Sequence, residues 1–294
     1  MTAQLLEGKA IAEKLQQEIA STIQGLKKLT KKQPKMVAIR VRENQEFESY
    51  LKSQKRVAEI VGIQHDTYPN LGENAIKLQN IIRELNEDNS VDGIMVQMPL
   101  PSGFPFEVIL DQIDPKKDVE GITSYNLGQL VLKRDRLVPC TALSCIALIE
   151  EAMRRIGKTC HGKEAVVVGS SKVVGRPTAL LLLDRMATTT VCHVETSKAG
   201  KLEEHVRRAD ILVVAVGKQN VIPGKWIKEG AIVIDAGFNH IDNKIVGDVE
   251  FEEAKKRAQF ITPVPGGVGP LTTTMLMVNL STAFRWQHIN PPVI

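Results

Sequence analysis

Short apolar runs of strand length alternate with amphipathic segments of helix length, and this alternation occurs twice along the chain. In the first half, the runs "MVAIRV" (36–41) and "VDGIMVQM" (91–98) are separated by helix-like segments such as "IKLQNIIREL" (76–85). In the second half, from residue 164, the runs are "EAVVV", "TTTVCHV", "ILVVAVG" and "AIVIDAG". Strands that alternate with crossover helices form parallel sheets, so the pattern predicts an α/β protein.

The alternation restarts near residue 147, after a loop-rich stretch (111–139), and this indicates a division of the chain. At 294 residues the chain is long enough for two ordinary domains. We predict a first domain over 1–147 and a second over 148–270. The segment from about 271 to 294, which includes an apolar helix, is expected to return to the first domain.

Composition argues against several classes of function. With 38 basic and 34 acidic residues, a net charge of +4 and 4% aromatic residues, we expect no nucleic-acid partner. No apolar run approaches the ~20 residues of a membrane span, and the N-terminus lacks the apolar core of a signal peptide. The four cysteines form no C-x-x-C pair and have no histidine cluster beside them. We therefore predict no metal site and a reducing, cytoplasmic compartment.

The stretch "VVVGSSKVVGRP" (166–177) joins an apolar run to a helix through a glycine turn. Backbone N–H groups at a helix start attract phosphate, but the spacing Gly169-x-Ser171-x-x-x-Gly175 differs from the usual dinucleotide fingerprint. On these residues alone, the turn fits either a nucleotide site or a tight strand-to-helix connection without a ligand.

Two further stretches carry polar or conformationally special residues. In "VDGIMVQMPLP" (91–101), Gln97 falls at the carboxyl end of a strand, where it can bind a ligand or merely hold a loop. In "ITPVPGGVGPLTTTML" (261–276), clustered prolines and glycines predict a rigid loop that another group approaches closely.

Together these stretches resemble the methylenetetrahydrofolate dehydrogenase/cyclohydrolases of one-carbon metabolism. The resemblance spans essentially the whole chain, and its most specific motif is "ITPVPGGVGPLTTTMLM". The other motifs are "YLKSQKRVAEIVGI", "DGIMVQMPLP", "DPKKDVEGITSYNLGQL", "PCT", "GKEAVVVGSSKVVGRP", "ILVVAVGK", "VIDAGFN" and "GDVEF".

The resemblance implies both a fold and a reaction. Family members have two α/β domains flanking a cleft, an N-terminal folate-binding catalytic domain and a C-terminal Rossmann-like NAD(P) domain. They oxidise 5,10-methylene-tetrahydrofolate to 5,10-methenyl-tetrahydrofolate by hydride transfer to nicotinamide. Their second activity, cyclohydrolase, adds water to the methenyl bridge. A homodimer is also a family expectation.

Carried over to this sequence, the resemblance also implies roles for individual residues. The catalytic residues would be Tyr50, Gln54, Gln97 and Glu120. Folate would contact Tyr50, Gln97, Pro99, Leu100, Glu120, Pro265, Gly266 and Gly267. NAD or NADP would contact Gly169, Ser170, Ser171, Val174, Gly175, Pro177, Glu195, Val216, Gly217, Asp235, Gly237 and Gly267.

The folate half departs from the family where cyclohydrolase chemistry takes place. The family has a lysine four residues after the tyrosine, one helical turn along the same face, and this chain has Gln54. Glutamine has no titratable group, so it cannot act as a general base, and Lys55 lies one step round the helix. The family's aspartate is Glu120, longer by one methylene. We therefore expect cyclohydrolase activity to be weak or lost.

The cofactor-binding half also departs from the family pattern. The family's arginine that helps bind the NADP 2′-phosphate is Ser170 here. Glu195 would accept hydrogen bonds from a ribose 2′-hydroxyl and repel a 2′-phosphate. We therefore predict that NAD is favoured, unless Lys198 or Lys201 reaches the phosphate.

Two other functions stay open on the sequence. One is a fully bifunctional dehydrogenase/cyclohydrolase, and the other is a catalytically silent sensor that binds folate or nucleotide. Intact Tyr50, Gln97, Gly175 and Asp235 argue against the sensor, because a decayed site should lose its glycines first.

Overall fold

The computed structural model describes residues 2–42, 45–134, 136–241 and 244–289, without the side chains of residues 45 and 46. The chain divides into two compact units, each with its own sheet. The three-stranded unit comprises residues 13–140 and 273–294, and the six-stranded unit comprises residues 1–12 and 141–272. The predicted extension of the first domain to residue 294 reaches beyond the described residues.

Strands and helices of the described residues largely alternate along the chain. In the first half they are β1 (Gln4–Leu5), α1 (Gly8–Thr30), β2 (Lys35–Ile39), α2 (Gln45–Val61), β3 (Gln64–Tyr68), α3 (Ala75–Glu87), β4 (Gly93–Val96), α4 (Phe106–Leu110) and α5 (Ser124–Val131). In the second half they are α6 (Cys140–Arg155), β5 (Glu164–Val168), α7 (Gly175–Asp184), β6 (Thr188–Cys192), α8 (Val194–Lys198), α9 (Leu202–Arg208), β7 (Ile211–Val214), a 3₁₀ turn (Gly224–Trp226), β8 (Ile232–Asp235), β9 (Asn239–Ile241), β10 (Lys244–Val246), α10 (Phe251–Ala254), β11 (Phe260–Ile261) and α11 (Val268–His288). The exceptions to the alternation are the successive helices α4 to α6, the helices α8 and α9, and the successive strands β8 to β10.

The three-stranded unit contains a parallel sheet in the order β3-β2-β4. Two of its runs, Met36 to Ile39 in β2 and Gly93 to Val96 in β4, are buried along their whole length. A parallel sheet that is covered on both faces needs such continuous apolar strands, and the helices α2 and α3 that connect the strands supply the cover. The core of this unit includes Ile39, Leu78 and Ile94.

The six-stranded unit contains a parallel sheet in the order β1-β11-β8-β7-β5-β6. From β5 the chain goes first to β6 on one side and then to β7 on the other. Open α/β sheets bind ligands at such a point of reversal, outside the carboxyl ends of the strands. The residues that follow β5 and β7 are therefore the ones to examine for a cofactor.

The predicted fold class, a two-domain α/β protein with parallel sheets, is confirmed. β3 is less visible in the sequence than its neighbours, because "QHDTY" lies at the sheet edge and is only partly buried. The last helix begins at Val268 rather than near residue 271, since Pro270 is tolerated in a first helical turn. No helix among the described residues is both long and apolar enough to span a bilayer.

The unit bounds fall after residues 12, 140 and 272, where the sequence led us to expect bounds near residues 147 and 271. Residues 2–12 go with the six-stranded unit because β1 pairs with β11, with Gln4 beside Phe260 and Leu5 beside Ile261. A strand of two residues carries too little pattern to be recognised in a sequence.

Candidate active site

Gln97 lies directly after β4 and is 1% exposed. Its side-chain oxygen accepts hydrogen bonds from the backbone N–H groups of Val41 (2.7 Å) and Arg42 (3.0 Å). Among the described residues its amide nitrogen has no partner. Because a buried donor without a partner costs free energy, an acceptor on a ligand that reached this N–H group would be favoured.

Tyr50 and Gln54 lie one turn apart on α2, as the sequence predicted, and their side chains are hydrogen-bonded. Burial, followed by the nearby Cys140 and Glu120, raises the pKa of Tyr50 well above its usual range. Tyr50 is therefore a neutral phenol at any physiological pH. It can act as a hydrogen-bonding group and a flat apolar surface, but not as a base.

The side chain of Gln54 is completely buried. Its amide nitrogen donates to the Met95 sulfur at 3.2 Å, and its oxygen lies 2.9 Å from Nε2 of His65. Lys52 and Lys55 are both exposed, and Lys55 lines a surface pocket of about 360 Å³ with His65. The buried place one turn after Tyr50 is thus occupied by a neutral amide.

Glu120 lies next to Gln97, because the backbone N–H of Val96 donates to its carboxyl group. Burial, followed by the nearby Asp118, raises the pKa of Glu120 to about 8. The segment before it runs beside β4, where the Ile94 N–H donates to the Lys117 carbonyl at 2.7 Å. Gln97 and Glu120 therefore lie at the carboxyl-terminal end of β4, and Gln54 packs beside the same sheet against Met95 and His65.

The other two predicted folate residues of this unit follow Gln97 directly. Pro99 is exposed, and Leu100 is partly buried and packs against the core of the three-stranded unit. Their contact with substrate remains a prediction.

The turn after β5 is shaped by two glycines that approach other backbone atoms closely. Gly169 has a φ of +119°, and a Cβ atom there would meet the Ala215 carbonyl oxygen. A Cβ atom on Gly175 would meet the Gly169 carbonyl oxygen. Both positions therefore require glycine. Buried Pro177 follows in the first turn of α7, where its missing N–H costs nothing.

Ser171 caps the start of α7. Its hydroxyl oxygen accepts hydrogen bonds from the N–H groups of Val174 (3.1 Å) and Gly175 (3.3 Å). Ser170, just before it, is partly exposed. The turn lies at the reversal point of the sheet, which favours the nucleotide interpretation over an unliganded connection.

A carboxylate that the sequence analysis did not single out organises the loop after β7. Asp248, completely buried, accepts hydrogen bonds from the N–H groups of Val216 (2.6 Å), Gly217 (2.9 Å) and Lys218 (2.9 Å). It belongs to the "GDVEF" motif, and the only sequence signal was an acidic residue between a glycine and a valine.

The carboxylate of Asp235 is likewise used by backbone groups. It accepts from the N–H groups of Gly237 (2.9 Å), Asp248 (3.0 Å) and Val249 (2.9 Å). Burial raises the pKa of Asp235 to about 6, and these three amides oppose the rise. Gly237 packs against Asp248, where a Cβ atom would clash with the carboxylate. Asp235 thus supports the loops beside the reversal point.

The glycine pair of the Pro263–Gly269 loop packs against the start of α1. The Gly8 N–H donates to the Gly266 carbonyl at 2.9 Å, and a Cβ atom on Gly8 would meet the Gly267 carbonyl oxygen. Gly266 has a φ of +115°, and Gly267 is buried against Thr262. Pro265 is exposed on this loop. Close packing within the six-stranded unit therefore accounts for much of its unusual composition.

The charged groups expected near the adenine ribose are paired with one another. Glu195 lies on α8, directly after the edge strand β6, and its carboxylate contacts the ammonium of Lys198 at 2.6 Å. Lys201 lies 3.8 Å from Glu204. All four side chains are exposed, so these are weak pairs that a ligand can rearrange.

Two family models match the chain. "Tetrahydrofolate dehydrogenase/cyclohydrolase, catalytic domain" matches residues 6–120, and "Tetrahydrofolate dehydrogenase/cyclohydrolase, NAD(P)-binding domain" matches residues 139–288. The two matches together cover most of the described residues, including the Tyr50–Glu120 group and both cofactor loops.

Three solved structures are similar over nearly the whole chain. The bifunctional FolD methylenetetrahydrofolate dehydrogenase/cyclohydrolase from Campylobacter jejuni is 39% identical, with a TM-score of 0.89 and coverage of 96% of this chain and 99% of that chain. The FolD enzyme from Trypanosoma brucei, complexed with NADP cofactor and inhibitor, is 34% identical (TM-score 0.90; 97% and 98%). A 5,10-methylenetetrahydrofolate dehydrogenase from the silkworm Bombyx mori is 38% identical (TM-score 0.89; 97% and 99%).

The motifs, the fold and these likenesses lead to one assignment. The chain belongs to the tetrahydrofolate dehydrogenase/cyclohydrolase family and is an NAD(P)-dependent methylenetetrahydrofolate dehydrogenase.

Proposed function

We propose that this enzyme oxidises 5,10-methylene-tetrahydrofolate to 5,10-methenyl-tetrahydrofolate and has weak or no cyclohydrolase activity. The observation that carries the second part is the buried, neutral side chain of Gln54, one turn after Tyr50, where resembling enzymes carry a lysine. A change at this one position separates the two activities because only one of them needs a base.

The dehydrogenase reaction needs alignment more than acid–base help, since the N5 and N10 lone pairs of the substrate stabilise the product cation. Gln97 offers a fixed N–H donor, Tyr50 a neutral phenol, and Glu120 a carboxyl group whose pKa of about 8 keeps it mostly protonated at neutral pH. Holding the reactants in the right orientation can lower the activation barrier by roughly 7–11 kcal/mol. These groups can supply that orientation without exchanging a proton.

Water addition to the methenyl bridge requires a proton acceptor near the bridge carbon. Gln54 has no titratable group. His65 contacts Gln54, but burial, and then the charge of Lys55, lowers its pKa to about 4. An imidazole with that pKa is a poor base, and its Nε2 already faces the amide oxygen. The site therefore has no evident replacement for the lysine among the described residues.

The residues around the reversal point of the six-stranded sheet fit a nicotinamide dinucleotide. Gly169 and Gly175 let the turn after β5 pack closely on itself and on Ala215, and Asp248 fixes the neighbouring loop at Val216 and Gly217. The bound cofactor would supply the hydride acceptor. This chain's own residues would hold its phosphates and ribose at these loops.

We further propose that NAD is accepted at least as well as NADP. Ser170 brings no positive charge to a 2′-phosphate, and Glu195 adds a negative one beside the strand end. Lys198, the nearest candidate to offset that charge, is paired with Glu195.

Two absorbance assays test the proposal. Incubation with methylene-tetrahydrofolate and NAD should produce reduced nicotinamide, whereas a silent sensor would produce none. Decay of methenyl-tetrahydrofolate should be close to the uncatalysed rate, because loss of general-base help costs roughly 10²–10⁴-fold. Strong acceleration by the native protein would instead establish the bifunctional alternative. The variant Gln54→Lys is expected to gain activity in the second assay only.

A homodimer and a cytoplasmic location also belong to this proposal. The family resemblance supports the first, and four free, buried cysteines are consistent with the second. Sedimentation of the purified protein checks the dimer directly.

A further inference from the structure

Gln54 does not merely fill the place of a lysine, because it has specific partners on two sides. On one side its oxygen lies 2.9 Å from Nε2 of His65. On the other, its amide nitrogen donates to the Met95 sulfur, and its side chain is also hydrogen-bonded to Tyr50. A fully buried amide that lacked these partners would be strongly disfavoured.

His65 comes from β3, on the strand next to β2, and lies eleven residues after Gln54 in the chain. It is partly buried and neutral, since burial lowers the pKa of its imidazole to about 4. A neutral imidazole that carries its proton on Nε2 donates it to the Gln54 oxygen. With the proton on Nε2, rotating the amide by half a turn would bring two donors face to face, so this tautomer fixes which end of the amide faces His65. Nδ1 of His65 has no partner among the described residues that would hold the proton there.

We propose that His65 is a positioning residue that fixes the orientation of the Gln54 amide, so that the amide N–H donates to the Tyr50 hydroxyl and holds that ring for folate. The inference rests on the proposed function, in which Tyr50 binds the substrate. It assigns a role to a side chain outside the family motifs, and it explains how a glutamine is accommodated in a place that suits an ammonium group.

Two variants that place a carboxamide at position 65 test this role. In His65→Gln the amide nitrogen can reach the place of Nε2, whereas in His65→Asn it reaches only the place of Nδ1. We expect kcat/KM for methylene-tetrahydrofolate to stay within about twofold for His65→Gln. For His65→Asn it should fall about three- to tenfold, the net effect of one hydrogen bond. The KM for NAD should change in neither variant.

A double-mutant cycle separates positioning from a general structural role. In a Gln54→Ala background, His65→Asn should cause no further loss, because the group through which it acts has been removed. An equal loss in both backgrounds, or equal losses for the Gln and Asn variants, would overturn the proposal. Both variants at position 65 are polar and similar in size, so thermal melting curves that coincide exclude unfolding as the cause.

The dissociation constant of tetrahydrofolate provides a readout that does not depend on catalysis. If the native protein reduces no nicotinamide, the proposed function is wrong, and the same cycle measured by folate binding still decides whether His65 acts through Gln54. If the native protein is active and the cycle shows no coupling, the proposed function stands and the role of His65 is rejected.

Discussion

Two carboxyl groups, the partly buried Glu120 and the buried Asp235, differ in protonation because different numbers of backbone amides reach them. Burial raises the pKa of both, to about 8 for Glu120 and about 6 for Asp235. Asp235 receives three backbone N–H groups that favour its charged form, whereas Glu120 receives one, from Val96. At neutral pH Glu120 is therefore mostly a hydrogen-bond donor, and Asp235 is mostly a carboxylate.

The raised pKa of Glu120 predicts a pH-dependent stability. Between its ordinary pKa near 4.5 and about 8, the folded protein keeps a proton that the unfolded chain has lost, so Glu120 destabilises the fold increasingly as pH rises. The variant Glu120→Gln should gain stability relative to wild type between pH 5 and pH 8. Urea unfolding at both pH values measures this difference. The exposed Glu87→Gln serves as a control without the trend, and a difference that does not change with pH would contradict the prediction.

Asp248 should act on cofactor binding without touching the substrate. The variant Asp248→Asn replaces one of the two acceptor oxygens with an N–H donor, so at least one of the three backbone N–H groups of the loop after β7 loses its acceptor and the charge is lost. Hydrogen bonds to a charged group are worth about 1.5–3 kcal/mol, so the KM for NAD should rise at least about tenfold while the KM for folate stays constant. Steady-state kinetics measures both. Asp210→Asn, at another carboxylate of the same unit that accepts from a backbone amide, is the matched control. An unchanged KM for NAD would refute this role.

At the scale of elements, the end of α3 is joined to the segment that carries Glu120. The ammonium of Lys117 donates to the carbonyls of Leu85 (2.9 Å), Asn86 (2.8 Å) and Asp88 (2.8 Å), and its side chain is buried. A cation at a helix C-terminus also interacts favourably with the helix dipole. One side chain thus caps a helix and fixes the position of a site loop.

Removing that cap should weaken the whole unit. The variant Lys117→Met leaves three carbonyl groups without their donor, and we expect a loss of about 2–4 kcal/mol in the free energy of unfolding. Denaturant titration measures the loss, and Lys116→Met, the neighbouring position, is the comparison. If Lys117→Met were as stable as Lys116→Met, water would hydrogen-bond these carbonyls as well as the ammonium does, and the prediction would be wrong.

The sequence predicted those elements whose residues carry their own pattern. Strands β2 and β4 are apolar along their length because both faces are buried, and they were recognised for that reason. The polar edge strand β3 and the two-residue β1 depend on their neighbours for pairing and left no clear pattern. Whether a segment forms a helix or a strand depends largely on its own residues, whereas strand pairing depends on residues far away in the chain.

The same distinction separates the predictable part of the candidate site from the rest. Tyr50 and Gln54 share a helix face, so their contact follows from helix geometry. The contact between Gln54 and His65, and the three amides held by Asp248, join segments whose approach only the fold determines. Residue type and spacing carry no information about such partners.

At the scale of the whole molecule, cofactor choice depends on the charges near the end of β6 and in the turn after β5. We expect the ratio of kcat/KM for NADP to that for NAD to stay below about ten, since one charge-assisted hydrogen bond changes affinity about ten- to a hundredfold. The variant Ser170→Arg should shift the ratio toward NADP by a similar factor. The control is Ser102→Arg, which adds the same charge in the other unit and should leave the ratio unchanged. A native preference of tenfold or more for NADP would point to Lys198 or Lys201 as the phosphate ligand.

The pairing of β1 with β11 has a practical consequence for anyone who produces this protein. Residues 3 to 8 are tied by backbone hydrogen bonds to Lys255, Ile261 and Gly266, and the last of these lies in the Pro263–Gly269 loop. A fusion tag placed directly before Gln4, or a protease that trims this end, would loosen an edge strand and the loop it anchors. Because we propose that the Pro263–Gly269 loop contacts folate, we expect a preparation altered there to melt normally and bind folate poorly. Tagged and untagged preparations should therefore be compared before low activity is attributed to Gln54 or Glu120.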